Sequence, residues 1–198
     1  VYNVEQLIIS IGREFGSGGH EIAEKLAEHY GLPLYDHNLL DEIAEKRNVD
    51  SKKLKEYDEK KTLALYRTVK GMSSSPSENV ARMQFDYLKD KAAKGESLVV
   101  VGRCSEEILK DSKALIAIFV NGDMDSKVER IVKKYDLSKE DAKDYIKKMD
   151  KKRKYYHNSY CDNKWGDSRN YELTINSSKL GIEDSVKMLI WYIDTRRA

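Results

Sequence analysis

Leu7-Ile8-Ile9-Ser10-Ile11 is a nearly continuous apolar run, rich in β-branched residues and followed at once by glycines. A run without polar alternation predicts a strand buried on both faces. Two further runs have the same character: Leu98–Val101, ending in Gly102, and Leu115-Ile116-Ala117-Ile118-Phe119-Val120, ending in Asn121-Gly122. Leu32-Pro33-Leu34-Tyr35 and Tyr171-Glu172-Leu173-Thr174-Ile175 are weaker strand candidates. Between them, apolar residues recur at helical spacing: Ile22, Leu26 and Tyr30; Val128, Ile131, Val132 and Tyr135; Ile182, Val186, Leu189, Ile190 and Ile193. Strands alternating with helices predict an α/β fold with a parallel sheet covered on both faces. Residues 38–96 break the alternation, being charged, helical in pattern and interrupted by Ser-rich residues 72–77, and read as a helical insertion. A second helical and very basic stretch, 139–156, precedes a loop with Trp165-Gly166-Asp167. No Gly/Ser/Pro linker divides the chain, which predicts one domain over 1–198.

Composition narrows the function. Lys and Arg total 36 against 34 acids, so the net charge of +2 gives no general attraction to nucleic acid or anionic membrane, and phosphate binding has to be local. A nucleic-acid module would need a broad basic face with exposed aromatics, which this balance disfavours. The apolar runs are too short to span a membrane, and Val1-Tyr2-Asn3-Val4-Glu5 lacks the basic region of a secretory signal. Cys104 and Cys161 lie far apart without metal-ligand spacing, which argues against a zinc site or a disulfide and for a reduced, cytoplasmic protein. No metal-ligating set is expected. The sequence leaves a homo-oligomer open.

Three segments carry candidate chemistry. Gly12-Arg13-Glu14-Phe15-Gly16-Ser17-Gly18-Gly19-His20-Glu21 joins the first strand to the helix of Ile22 and Leu26. Glycines there let backbone N–H groups turn around a phosphate, and the helix N-terminus adds donors and a favourable dipole. The loop departs from GxxxxGK[ST], since five residues separate Gly12 from Gly18 and Gly19-His20 follow without a lysine. A tight structural turn is the plain alternative. Gly102-Arg103 follows a predicted central strand, at the edge where ligands of open α/β sheets collect, and a guanidinium there can pair bidentately with phosphate or form an ordinary ion pair. Lys147, Lys148, Lys151, Lys152, Arg153 and Lys154 form a basic run that reads as a solvated helix face or as a clamp over phosphates. Within it, Asp150 is spaced for simple helix pairs with Arg153 and Lys154. His157, Cys161 and Trp165 can line a loop, but their spacing defines no nucleophile and base.

In this order the segments resemble the cytidylate kinase-like family over nearly the whole chain. Residues 11–19 resemble its altered phosphate loop, Tyr35-Asp36 the end of its second strand, and Val101-Gly102-Arg103-Cys104 its central motif. Asp150-Lys151-Lys152-Arg153, Trp165-Gly166-Asp167 and Asn176-Ser177-Ser178-Lys179-Leu180-Gly181-Ile182 resemble its carboxy-terminal signatures. The resemblance implies a P-loop nucleoside monophosphate kinase-like fold: a five-stranded parallel sheet flanked by helices, an acceptor-binding helical insertion at about 38–96 and a lid at about 139–168. It implies transfer from ATP, with Mg2+, to a nucleoside monophosphate, CMP or dCMP being favoured. Gly12, Gly16, Ser17, Gly18, Gly19 and His20 would hold the donor, Asp36, Gln84 and Arg103 the acceptor, and Arg13, Arg103 and Arg153 would serve catalysis. Ordinary cytidylate kinases carry a lysine where this chain has Gly19, an aspartate where it has Cys104, and an arginine where Phe85 follows Gln84. The alternative is a nucleotide-binding protein without kinase turnover, such as a sensor.

Overall fold

The computed structural model describes residues 5–47, 50–59, 68–69, 72–73 and 76–198. The first apolar run forms β1 (Ile8–Arg13), and the glycines after it lead into α1 (Gly19–Tyr30), which stops at Gly31 in the left-handed conformation that glycine adopts without strain. β2 (Leu34–Tyr35) follows, then helices α2 (Leu39–Arg47) and α3 (Ser51–Glu59). A small antiparallel hairpin, β3 (Thr68–Val69) with β4 (Met72–Ser73), interrupts the insertion, which the helical reading of 38–96 did not include. Ser74 and Ser75 of the Ser-rich interruption lie outside the described residues. α4 (Pro76–Ala93) starts on a proline, whose missing N–H costs nothing in a first helical turn.

β5 (Leu98–Val101), the short α5 (Ser105–Ile108), β6 (Leu115–Asn121), α6 (Met124–Tyr135), α7 (Lys139–Tyr160), β7 (Leu173–Asn176) and α8 (Ser177–Arg197) complete the chain. The main sheet has the order β2-β5-β1-β6-β7, and every pairing in it is parallel. Ile8 stands in register with Leu98 on one side and Leu115 on the other, and Ile11 with Val101 and Ile118. All strands therefore end on one edge. The order reverses at β1, so a crevice opens beyond its carboxyl end.

Both faces of the sheet are covered, as the unalternating runs require. Ile9, Ile11, Val99, Val101, Ile118 and Val120 pack with Ile22 and Leu26 of α1 and with Val186, Leu189 and Ile193 of α8. On the other face Ile8, Leu98 and Val100 meet Leu39, Leu40 and Ile43 of α2 and Val80 and Leu88 of α4. Full burial of each such side chain contributes about 1.5–3 kcal/mol. Tyr135 departs from its apolar stripe: it is 43% exposed and joins Phe15 and Tyr145 in an aromatic cluster, because α6 turns that end towards α7 and the glycine loop rather than the sheet. Among the described residues, no helix is long and apolar enough to cross a membrane.

Candidate functional site

The loop between β1 and α1 holds Gly16 at φ +81° and Gly18 at φ +79°, backbone states that side-chain-bearing residues avoid. Gly18 caps α1 without a side-chain acceptor of its own; the Gly19 N–H turns to Ser17 Oγ at 3.3 Å, and the amides of His20 and Glu21 are left to an external acceptor. Around them opens a cleft of about 980 Å³, lined by loop residues 13–20 and by Asp36, Arg130, Lys134 and Arg153. Gly12 lies outside that lining. A Cβ on it would come 2.7 Å from a Phe119 ring carbon and 3.0 Å from Tyr171, so its hydrogen allows those rings to pack. His20 is exposed, 3.2 Å from Glu24 and 3.4 Å from Asp36, which places Asp36 at the mouth of the cleft.

The loop is braced from behind by buried charges whose pairing the sequence did not disclose. Lys127 of α6, 5% exposed at its side chain, lies 2.9 Å from Glu14 and 3.3 Å from Asp150. Asp150 also accepts the Phe15 N–H at 2.6 Å, although burial raises its pKa. Its reading as a surface helix pair is thus corrected: α7 turns Asp150 inward to the loop. Arg153, one turn on, donates to the Arg13 carbonyl at 3.2 Å and covers the Phe15 ring, while Lys151, Lys152 and Lys154 stay exposed. Arg130 pairs with Glu21 at 3.0 Å and lies against Gly18.

Arg13, Arg103 and Arg153 come together at this edge. The Arg13 guanidinium rests on Gly102, where any Cβ would collide with its Nη1, and its buried Nε finds no hydrogen-bond partner among the described residues. Burial first, then repulsion from Arg153 and Arg103, pull the Arg13 pKa well below its ordinary value. A guanidinium does not release its proton near neutrality, so these forces act instead as an unmet demand for an anion.

Arg103, with Cys104 after it, occupies a left-handed turn at φ +58°, which aims its side chain at the insertion. There Asp58 of α3 bridges two residues: it accepts from Arg103 at 2.5 Å and from Gln84 of α4 at 2.9 Å. Burial works against the Arg103 charge, but Asp58, with Tyr156 beside it, more than restores it, and the pKa is raised. Sequence reasoning assigned Gln84 and Arg103 to one ligand and missed Asp58, one acid in a charged helix. The same turn brings near each other two cysteines that are far apart in sequence: Cys104 and Cys161 lie close enough to interact where the end of α7 packs on it.

The model of the family described as cytidylate kinase-like matches residues 8–179. This chain belongs to the cytidylate kinase-like family. It is 26% identical over 195 residues to a cytidylate kinase of Pyrococcus horikoshii, covering 96% of this chain and 91% of that one. A solved structure of an uncharacterized protein from Eubacterium ventriosum ATCC 27560 is 42% identical, covers 96% of this chain and 99% of its own, and superposes with a TM-score of 0.77. A shikimate kinase from Bacteroides thetaiotaomicron, 15% identical over 95% of this chain and 98% of its own, has a TM-score of 0.54, which places the fold among P-loop kinases. Family membership supports nucleotide kinase activity.

Proposed function

We propose that the protein transfers the terminal phosphoryl group of ATP to a nucleoside monophosphate, with CMP or dCMP favoured as acceptor. The observation that carries this reading is the group of three arginines between the glycine loop and the turn after β5, with the Arg13 Nε buried and unpartnered. The cytidylate kinase of Pyrococcus horikoshii supports the choice of base. Phosphoryl transfer depends mainly on alignment and on neutralising charge spread over the transferred group. Backbone amides of residues 16–20 would hold the donor phosphates. Arg13, standing between loop and turn, would take the part of the missing loop lysine, and Arg103 with Gln84 would hold the acceptor once Asp58 lets go. Arg153 would bring a second guanidinium from α7 and help exclude water.

Mg2+ would arrive with the nucleotide, since it retains waters and needs few protein oxygens. Asp36, which lines the cleft, would be the chain's oxygen ligand on exchanging its contact with exposed His20, and the ion would add positive charge at the phosphates. Two observations favour binding without turnover as a second reading: Gly19 replaces the lysine, and Asp58 already occupies Arg103. Incubation with Mg-ATP and each nucleoside monophosphate, reading ADP, separates the two. ADP formation selective for CMP or dCMP, and lost in Arg103→Ala, is expected. Calorimetric binding of both nucleotides without ADP would establish the second reading.

A further inference from the structure

Behind the turn that carries Arg103, four side chains from two segments converge. Glu106 and His157 are in hydrogen-bond contact, and one ligand atom each from Glu106, His157 and Cys161 lies within 4.8 Å of the others. Cys104 lies beside them, near enough for its thiol to interact with that of Cys161. Cys104, Glu106 and His157 are 2%, 6% and 5% exposed, whereas Cys161 is half-buried and gives a path from solvent. A thiol, an imidazole and a carboxylate in so small a volume, with a second thiol beside them, are an expensive arrangement to bury even with Glu106 and His157 paired, and a shared cation would offset that cost.

We propose that Cys104, Glu106, His157 and Cys161 form a tetrahedral site for a zinc-type divalent cation, tying the carboxyl end of α7 to the turn after β5. The donor set has the sulfur, nitrogen and oxygen chemistry that zinc selects. Tetrahedral bonds of about 2.0–2.3 Å separate ligand atoms by about 3.3–3.8 Å, so the span of Glu106, His157 and Cys161 has to tighten by roughly 1–1.5 Å at its widest while the Glu106–His157 pair opens slightly. Local geometry supplies the pairs. His157 and Cys161 are spaced i and i+4 at the end of α7, where the Cys161 N–H bonds the His157 carbonyl at 2.9 Å, and Cys104 and Glu106 flank the start of α5. A second group orients the imidazole: Asn158 Oδ1 lies 3.3 Å from His157 Nδ1, so that Nε2, now bonded to the Glu106 carboxylate, is the nitrogen that would exchange that contact for the cation, the usual division in metal-bound histidines. Asn158 Oδ1 is itself held by the Trp165 N–H at 2.9 Å. Binding would replace the protons on the thiols and the imidazole, releasing them to solvent. The cation would then anchor one end of α7 while Asp150 and Arg153 remain at the glycine loop. This site stands independently of the kinase reading, since none of its atoms touches the proposed donor site.

The test uses the untagged, reduced full chain with Co2+ as a spectroscopic stand-in for Zn2+. About one equivalent should bind, with intense visible bands of tetrahedral cobalt and a thiolate-to-cobalt charge-transfer band. The chain has only two cysteines, so that band can arise only from Cys104 and Cys161. Zn2+ should displace the cobalt and raise the melting temperature. Loss of a ligand in Cys161→Ser or His157→Ala should weaken Zn2+ by more than about 100-fold, beyond the roughly 10–100-fold typical of losing a group that only orients a ligand. Cys104→Ser should roughly halve the charge-transfer intensity. If a variant fails to fold, the wild-type cobalt spectrum still decides. Absence of the charge-transfer band, binding unchanged in folded Cys161→Ser, or a reduced protein that takes up no metal but closes a Cys104–Cys161 disulfide under mild oxidant would each overturn the proposal.

Discussion

Asp58→Asn separates two roles of one carboxylate. Asp58 and Arg103 meet at 2.5 Å with both side chains 11% exposed, and Arg13 adds repulsion on the arginine side. Removing one partner of a buried pair costs about 3–5 kcal/mol. The edge position of α3 puts this pair at the low end, about 3 kcal/mol, or roughly 6–12 °C in melting temperature for a chain of this size. Ligand binding should move the other way. In the parent protein an acceptor phosphate has to displace Asp58 from Arg103 before it can bond there, whereas in Asp58→Asn the guanidinium has lost its charged partner and keeps only neutral ones such as Tyr156. If the released contact is a charge-assisted hydrogen bond of about 1.5–3 kcal/mol, CMP should bind about tenfold to a hundredfold tighter, with ATP affinity little changed. Calorimetric titration with each nucleotide, beside a thermal melt, measures both effects. A folded Asp58→Asn protein that binds CMP no better than its parent would refute the view that Asp58 holds the acceptor's place.

Lys127→Met leaves Glu14 and Asp150 without their shared cation and should lower the melting temperature by on the order of 10 °C, read by thermal melt; an unchanged value would show that the triad does not brace the loop. The exposed run around Lys152 should be cut less readily in limited proteolysis when Mg-ATP and CMP are both bound, as a lid closing over phosphates requires, and equal cutting would remove that role. Gly19→Ala should cost about 1–3 kcal/mol, because its Cβ would stand 2.5 Å from Arg13 Cβ, and most of that cost should vanish in an Arg13→Gly background but not in Arg13→Ala, which keeps the opposing Cβ. Additive losses in the double variant would mean that the two positions do not compete for space.

The sheet was legible because its strands are buried on both sides. Ile8 to Ile11, Leu98 to Val101 and Ile116 to Val120 are almost wholly apolar, and a parallel sheet between helix layers demands that pattern. The glycine loop and Arg103 were legible because their position after a strand fixes which edge they occupy. What stayed hidden depends on partners remote in sequence. Asp150 bonds residue 15, Asp58 bonds residue 103, and Cys104 meets Cys161, none of them at a spacing that local periodicity reports. Lys127 did leave a trace. It lies on the stripe of Met124, Val128 and Ile131, so a lysine there signals a buried charge with carboxylates waiting for it.

Gly19 and Arg13 explain each other. A lysine at position 19 would start from a Cβ only 2.5 Å from Arg13 Cβ and 3.1 Å from its Cγ, so the stem of Arg13 occupies the space where a loop lysine would begin. The exchange is not neutral in charge geometry. A lysine rooted on the first turn of α1 brings one flexible ammonium to the donor phosphates, whereas an arginine rooted on the last residue of β1 is fixed by the sheet and lies across Gly102. Its planar fork therefore faces the turn of Arg103 as well as the glycine loop. Lys127 cannot serve in its stead, since two carboxylates already hold its ammonium. The positive charge that a loop lysine would supply has thus moved to the junction of the two half-sites, where it opposes Arg103 and Arg153 until phosphate arrives. Such a site should gain most when donor and acceptor phosphates are both present, because only then are all three guanidinium groups neutralised together.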